Sequence, residues 1–261
     1  MSNIHPSAVV EEGAQIHSDA IIGPFCVVER GVSIGAGTEL KSHVALAGKT
    51  TIGENCTIFP FASIGHAPQD LKFHGEDSEV IIGDRCVIRE HATINPGTEG
   101  GGLLTKIGND CLIMIGAHVA HDCLIGNNVI LVNNATLGGH VTLEDFAIIG
   151  GLSAVHQFVR IGAHAMVGGA SGVETDIIPF GSATGNRAIL AGLNLTGMKR
   201  RNFPREEIHA LRNAYKELFS EEGTFQERTA DVSRKYENSK VVQQVIKFIN
   251  DETKRGFCQP Q

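Results

Sequence analysis

The sequence predicts a mainly β protein: a left-handed parallel β-helix of hexapeptide repeats with a C-terminal α-helical domain. Three observations carry the prediction. An aliphatic residue returns at every sixth position over most of residues 4–173, glycine often follows it, and after Pro179 the rhythm fades and yields, from about Pro204, to helical spacing.

The repeat begins with Ile4, Val10, Ile16, Ile22 and Val28 and runs to Ile64. It resumes at Ile82, Ile88 and Ile94, and again from Ile107 to Val173. Neither the helical period nor the strand period alone produces such a long run of sixes. Four places after the aliphatic residue the side chain is small or β-branched, as at Ala20, Val32, Thr38, Ala62 and Ala117. A prism of short strands explains both positions: one aliphatic side chain points inward per face, a smaller one packs beside it, and glycine helps turn the corner. Three hexads make a coil of about 18 residues, so positions that far apart stack on neighbouring coils. The composition agrees, with 31 glycines, no tryptophan and few aromatics. Cys26, Cys56, Cys86, Cys111 and Cys123 fall on the small inward position and read as core residues rather than nucleophiles.

Two insertions, near residues 66–79 and 95–106, must leave the prism as loops. The first carries Gln69-Asp70-Leu71-Lys72, and the second carries a glycine run, Gly100-Gly101-Gly102, that reads as flexible. The β-helix is expected over residues 1–184 and the helical domain over 185–261, closing the end of the prism. Pro204 suits a first turn with Glu206 and Glu207 after it, and Ile208, Leu211, Tyr215 and Leu218 make one apolar face. Thr224-Phe225-Gln226-Glu227 reads as a capping box, and Val241, Val242, Val245, Ile246 and Ile249 stripe a further helix ending near Gly256.

The net charge of −7 argues against a general affinity for nucleic acid. No stretch is long and apolar enough for a membrane span. The first residues, Met1 to Pro6, lack the basic and apolar regions of a signal peptide, and the cysteines show no CxxC spacing. A cytoplasmic location with reduced thiols is expected.

Of the twelve histidines, His118, His121, His140 and His156 stand out, and the stacking rule draws three of them together. His121, Gly139 and Gln157 should form one column, Asp122 and His140 the next, and Gly138 and His156 the one before. His118 lies a few residues upstream. This set suits acyl transfer to a hydroxyl: a neutral imidazole as base, Asp122 to orient it, and the Gly139 N–H for the oxyanion. Two alternatives stand beside it. His118, His121 and His140 could hold zinc, as in γ-class carbonic anhydrases, although the five-residue histidine spacing of that class is missing. The histidines could also cap a ladder at a subunit interface without chemistry.

The hexads, together with His118-Val119-Ala120-His121-Asp122, Gly139-His140, His156-Gln157-Phe158, Gln69-Asp70-Leu71-Lys72, Asn194 and Met198-Lys199-Arg200-Arg201, closely resemble the UDP-N-acetylglucosamine O-acyltransferases, which open lipid A synthesis. The resemblance runs over nearly the whole chain. It implies a homotrimer with sites between subunits. It also implies transfer of an (R)-3-hydroxyacyl group from acyl carrier protein to the sugar 3-hydroxyl, with no cofactor or metal beyond the carrier's phosphopantetheine arm. It makes His121 the base, Asp122 its holder and Gly139 the oxyanion donor. His118, His140, His156 and Gln157 then line the site, and Gln69, Asp70 and Lys72 contact substrate. Met166 and Gly169 end the acyl groove, where glycine leaves room for a longer chain, and Asn194, Arg200 and Arg201 meet the nucleotide. Arg187, Thr196 and Gly116 depart from the family's histidine, glutamate and asparagine, which leaves open the acceptor sugar or its 3-amino analogue. The related N-acyltransferases carry a domain ahead of their hexads, whereas here the hexads start at Ile4. Between Arg187 and Lys216 basic residues exceed acidic ones by five, a patch suited to an acidic carrier protein.

Overall fold

The computed structural model describes residues 3–261; Met1 and Ser2, which open the stretch read above for a leader, lie outside them. Three sheets of short strands form the expected left-handed parallel β-helix. Up to Val173 consecutive strands fall in different sheets and every third strand pairs, so each coil contributes one strand to each side. Leu112 pairs with Ile130, Ile130 with Ile148 and Ile148 with Met166, which is the 18-residue step. Across the insertions the step lengthens: Thr57 pairs with Val87 and Val87 with Leu112, spacings of 30 and 25 residues. The loops therefore leave the wall without breaking the ladder.

The repeat aliphatics are buried from Ile22 onward. Ile4, on the terminal coil, is 38% exposed, because a solenoid's end residue lacks a neighbour on one side. Each buried Ile, Leu or Val contributes roughly 1.5–3 kcal/mol, repeated along the stack. The five repeat cysteines are buried as expected, and burial pushes the Cys123 thiol up to about 12. The corners take left-handed backbone, often at Asp, Asn or His, including Asp122 (φ 59°) and His140 (φ 62°). One corner is stapled by a polar ladder: Asp84 accepts from the Glu54 N–H, Asn109 from Asp84, Asn127 from Asn109 and Asp145 from Asn127, at 2.7–2.9 Å.

After the last coil, Gly181–Thr184 pairs parallel with the wall and antiparallel with Ile189–Leu193, so sheet structure continues past residue 184. Four helices follow: α1 (Leu195–Arg200), α2 (Arg205–Leu218), α3 (Phe225–Lys235) and α4 (Lys240–Asn250). The short α1 has no apolar stripe to announce it. The capping box of α3 forms, with Thr224 Oγ1 accepting from Glu227 N–H and Glu227 Oε2 accepting from Thr224 N–H. Helix α4 stops at Asn250 rather than near Gly256. The segment beyond it returns to the wall: Asp176 N–H donates to Gly256 O and Cys258 N–H to Asp176 O. No helix among the described residues is long and apolar enough to cross a membrane.

Candidate active site

The stacking rule places the catalytic candidates as expected. His121 Nδ1 and Asp122 Oδ2 are 2.7 Å apart, with His121 nearly buried and the Asp122 side chain fully so. Because Asp122 can only accept, Nδ1 donates and Nε2 keeps its lone pair in the neutral ring. Nε2 lies 3.8 Å from Asp70 Oδ2, which the first inserted loop brings across the wall. Gly139 sits against the imidazole one coil along. Its N–H has no acceptor among the described residues, whereas the Gly138 N–H donates to Val155 O at 2.9 Å.

His140 meets His121 edge-on, with ring centroids 5.0 Å apart, and stacks on Phe158 at 4.3 Å. Burial lowers its proton affinity, and the Asp122 charge only partly offsets this. His118 shares a 2.7 Å hydrogen bond with Thr93 Oγ1; burial lowers its proton affinity too, and a charge on His121 would lower it further. Both imidazoles are thereby biased toward the neutral form. His156 and Gln157 stand exposed on the next coil, with the His156 ring against Gln157 O at 3.2 Å. On the inserted loop Gln69 and Lys72 are exposed, while Asp70 turns inward.

The zinc alternative fares poorly. His121, Asp122 and His140 bring ligand atoms within 4.8 Å of one another, but His118 is outside that group. Both oxygens of Asp122 are already engaged by Thr98, whose N–H donates to Oδ1 (2.9 Å) and whose hydroxyl donates to Oδ2 (2.6 Å). Asp122 N–H in turn donates to Thr105 Oγ1 at 2.8 Å. Thr98 and Thr105 lie within the second insertion, and of the glycine run between them Gly101 rests on the Asp122 carboxylate while Gly100 and Gly102 face open space. Sequence reasoning missed both threonines, although counting one coil back from Asp122 lands on that insertion.

The remaining candidates lie elsewhere on the prism. Met166 and Gly169 occupy the wall and corner before the His118 sheet, whereas His121 and Asp122 occupy the corner after it. A side chain at Gly169 would touch only Gly151 O, at 3.3 Å. Asn194 is buried and caps α1: its Oδ1 accepts from Gly197 N–H and its Nδ2 donates to His164 O, both at 2.9 Å. Arg201 lies over the Phe146 ring at 4.9 Å, and Arg200 is exposed. Of the family departures, Arg187 is paired with Glu174 at 2.9 Å. The tail also reaches the site, unforeseen: Lys254 lies 4.9 Å over Phe158, and Arg255 Nε donates to Gln157 O at 2.8 Å. Cavity size does not mark the chemistry. A 750 Å³ groove between α2 and α3 exceeds the 330 Å³ depression beside Asp122, His140 and Phe158.

A hexapeptide β-helix carrying a buried His–Asp pair beside a bare glycine defines a hexapeptide-repeat transferase, and the bacterial transferase hexapeptide model matches residues 104–139. A second family model, described as Udp N-acetylglucosamine O-acyltransferase, Domain 2, matches residues 176–258. An acyl-[acyl-carrier-protein]–UDP-N-acetylglucosamine O-acyltransferase of Rickettsia canadensis is 53% identical over 98% of this chain and 97% of its own length. Solved UDP-N-acetylglucosamine acyltransferases of Campylobacter jejuni and Francisella novicida superpose with TM-scores of 0.93 and 0.95 at 44% and 40% identity, covering 99% and 98% of this chain and 100% and 94% of theirs. The chain belongs to the UDP-N-acetylglucosamine O-acyltransferase family.

Proposed function

We propose that this acyltransferase moves an (R)-3-hydroxyacyl group from acyl carrier protein to the 3-hydroxyl of UDP-N-acetylglucosamine, with His121 as general base. The observation that carries the mechanism is the 2.7 Å bond from His121 Nδ1 to Asp122, which leaves Nε2 as the proton acceptor. The sugar hydroxyl gives its proton to Nε2 as its oxygen attacks the thioester carbonyl. The oxyanion of the tetrahedral intermediate faces the Gly139 N–H. Collapse breaks the C–S bond, and the imidazolium returns its proton to the departing thiolate, giving an ester and the free carrier thiol. Asp122 holds the ring and stabilises its charged form.

Asp70, with Gln69 and Lys72 on the same loop, bounds the acceptor side of Nε2, and His118, His140, His156 and Gln157 line the walls. Asn194 contributes by holding α1, whose last residue, Arg200, and the Arg201 that caps it reach toward the nucleotide phosphates. Met166 and Gly169 limit the acyl chain. These groups lie on different corners of one prism, so a complete site needs a second copy, which supports a homotrimer with sites between subunits. An exposed corner ladder, Phe25, His43, Phe61 and His91 with centroids 5.0–5.1 Å apart, gives such an assembly an apolar surface to bury. Lys199, Arg205 and Arg212 line a 730 Å³ groove suited to the acidic carrier. The phosphopantetheine arm comes with the donor, and the cytoplasm is the place where these buried thiols stay reduced.

The test is a transfer assay with UDP-N-acetylglucosamine and a series of 3-hydroxyacyl carrier proteins, with His121→Ala alongside. Ester product from the parent protein and a loss of orders of magnitude in the variant support the reading. Turnover that survives His121→Ala removes the base assignment. Product only with the 3-amino sugar changes the acceptor.

A further inference from the structure

The loop of residues 95–106 closes on the His121–Asp122 pair through one side chain that the chemistry above does not use. Thr98 is 5% exposed, and its two donors take one Asp122 oxygen each. Its hydroxyl shares Oδ2 with His121 Nδ1. The same loop approaches closely at a second point: a β-carbon on Gly101 would fall 2.0 Å from Asp122 Cγ, so the loop backbone lies directly on the carboxylate. A carboxylate with no solvent access depends on its protein donors for both orientation and charge density.

We propose that Thr98 is a positioning residue for the transfer reaction, its hydroxyl setting the orientation and basicity of His121 through the shared Asp122 oxygen. The inference rests on His121 being the base. Three donors fix the carboxylate plane, and with it the direction of Nε2. The Thr98 hydroxyl also draws charge from Oδ2, so Asp122 holds the His121 proton less tightly than an unshared carboxylate would. The other charged or titratable groups around the imidazole are Asp70 on the first inserted loop, His118 on its own coil and His140 on the next, with Glu252 and Lys254 of the tail behind His140. None of them touches Oδ2 within hydrogen-bond distance.

The experiment compares Thr98→Val, Thr98→Ser and His121→Ala in the full-length protein, measuring kcat, KM and the pH profile of kcat/KM. Thr98→Val keeps the backbone donor and the shape but removes the hydroxyl. It is expected to lower kcat roughly tenfold or more with KM little changed, because a hydrogen bond to a charged group is lost where it orients the base. The acid limb of kcat/KM should move to higher pH, since the unshared carboxylate retains the imidazolium proton. Thr98→Ser should restore both. An unmoved acid limb in Thr98→Val, or a loss that Thr98→Ser fails to rescue, overturns the inference and leaves Thr98 as packing. If Thr98→Val does not fold, Thr98→Ala carries the same readout. Activity retained by His121→Ala would instead overturn the base assignment itself.

Discussion

A β-carbon placed on Gly139 would lie 2.4 Å from His121 Cε1 and 2.5 Å from its Nε2. Contact, rather than backbone conformation, demands glycine here, since the neighbouring corner residues Asp122 and His140 take the left-handed turn. Gly139→Ala should push the imidazole off its line and tilt the N–H proposed for the oxyanion. A fall in kcat on the order of a hundredfold is expected, with the melting temperature nearly unchanged. Steady-state kinetics and thermal unfolding check both. Kinetics like those of the parent protein would mean that neither the ring position nor that N–H matters.

This pair was legible in the sequence because stacking in a solenoid is arithmetic. Counting 18 forward from His121 lands on Gly139, and the six-residue register places the inward cysteines and aliphatics. Thr98 escaped because an insertion breaks the count, and its two bonds to Asp122 span 24 positions of chain. The glycine run reads as flexible in the sequence, whereas Gly101 lets the loop lie on a carboxylate. Asn194 looks the same in sequence whether it caps a helix or meets a ligand, and only the positions of Gly197 and His164 show that its amide is engaged. Gly256 suggested the end of α4, but its left-handed backbone serves the returning tail.

His164 predicts a pH dependence of stability. Its ring is stacked between Phe146 and Phe180, with centroids 4.7 and 5.0 Å away, and burial with the Arg201 charge brings it down to about 4. The unfolded chain binds that proton near the ordinary histidine value of about 6.5. Between these values the unfolded state holds more protons than the folded one, so stability should fall as pH drops through the window. Half-buried His118 and His140, whose proton affinity is likewise lowered by burial, act in the same direction. His164→Phe keeps the aromatic ladder and removes the titration. Urea unfolding across that pH range should show a flatter acid slope for the variant; an identical slope would mean the ring titrates normally when folded.

Asp176 pins the tail. It is fully buried and accepts from Arg160 N–H (2.8 Å), Arg160 Nε–H (2.7 Å) and Thr253 Oγ–H (2.6 Å). Asp176→Ala takes the counter-charge from the largely buried Arg160 guanidinium, leaving it only the Phe248 carbonyl, which should cost about 3 kcal/mol. It should also loosen Lys254 and Arg255, so limited trypsin digestion should cut there first. A tail as resistant as in the parent protein would show that the strand-like contacts of Gly256 and Cys258 suffice without the carboxylate.

Phe61 tests the assembly. It is 53% exposed although it stacks between His43 and His91, and Phe25 above it is 58% exposed. Apolar rings stacked along one outer corner gain little from water, and burying them against another copy would contribute on the order of 1–2 kcal/mol per ring. Repeated in every interface of a trimer, a charge at this position would oppose association several times over. Phe61→Asp should therefore sediment as a smaller species while keeping its circular dichroism, since the ring contributes nothing to the prism interior. Because Met166 and Gly169 lie on a different corner from His121, turnover should fall with association, and raising protein concentration should restore both together. A variant that sediments and turns over like the parent would place the subunit contact on another face of the helix.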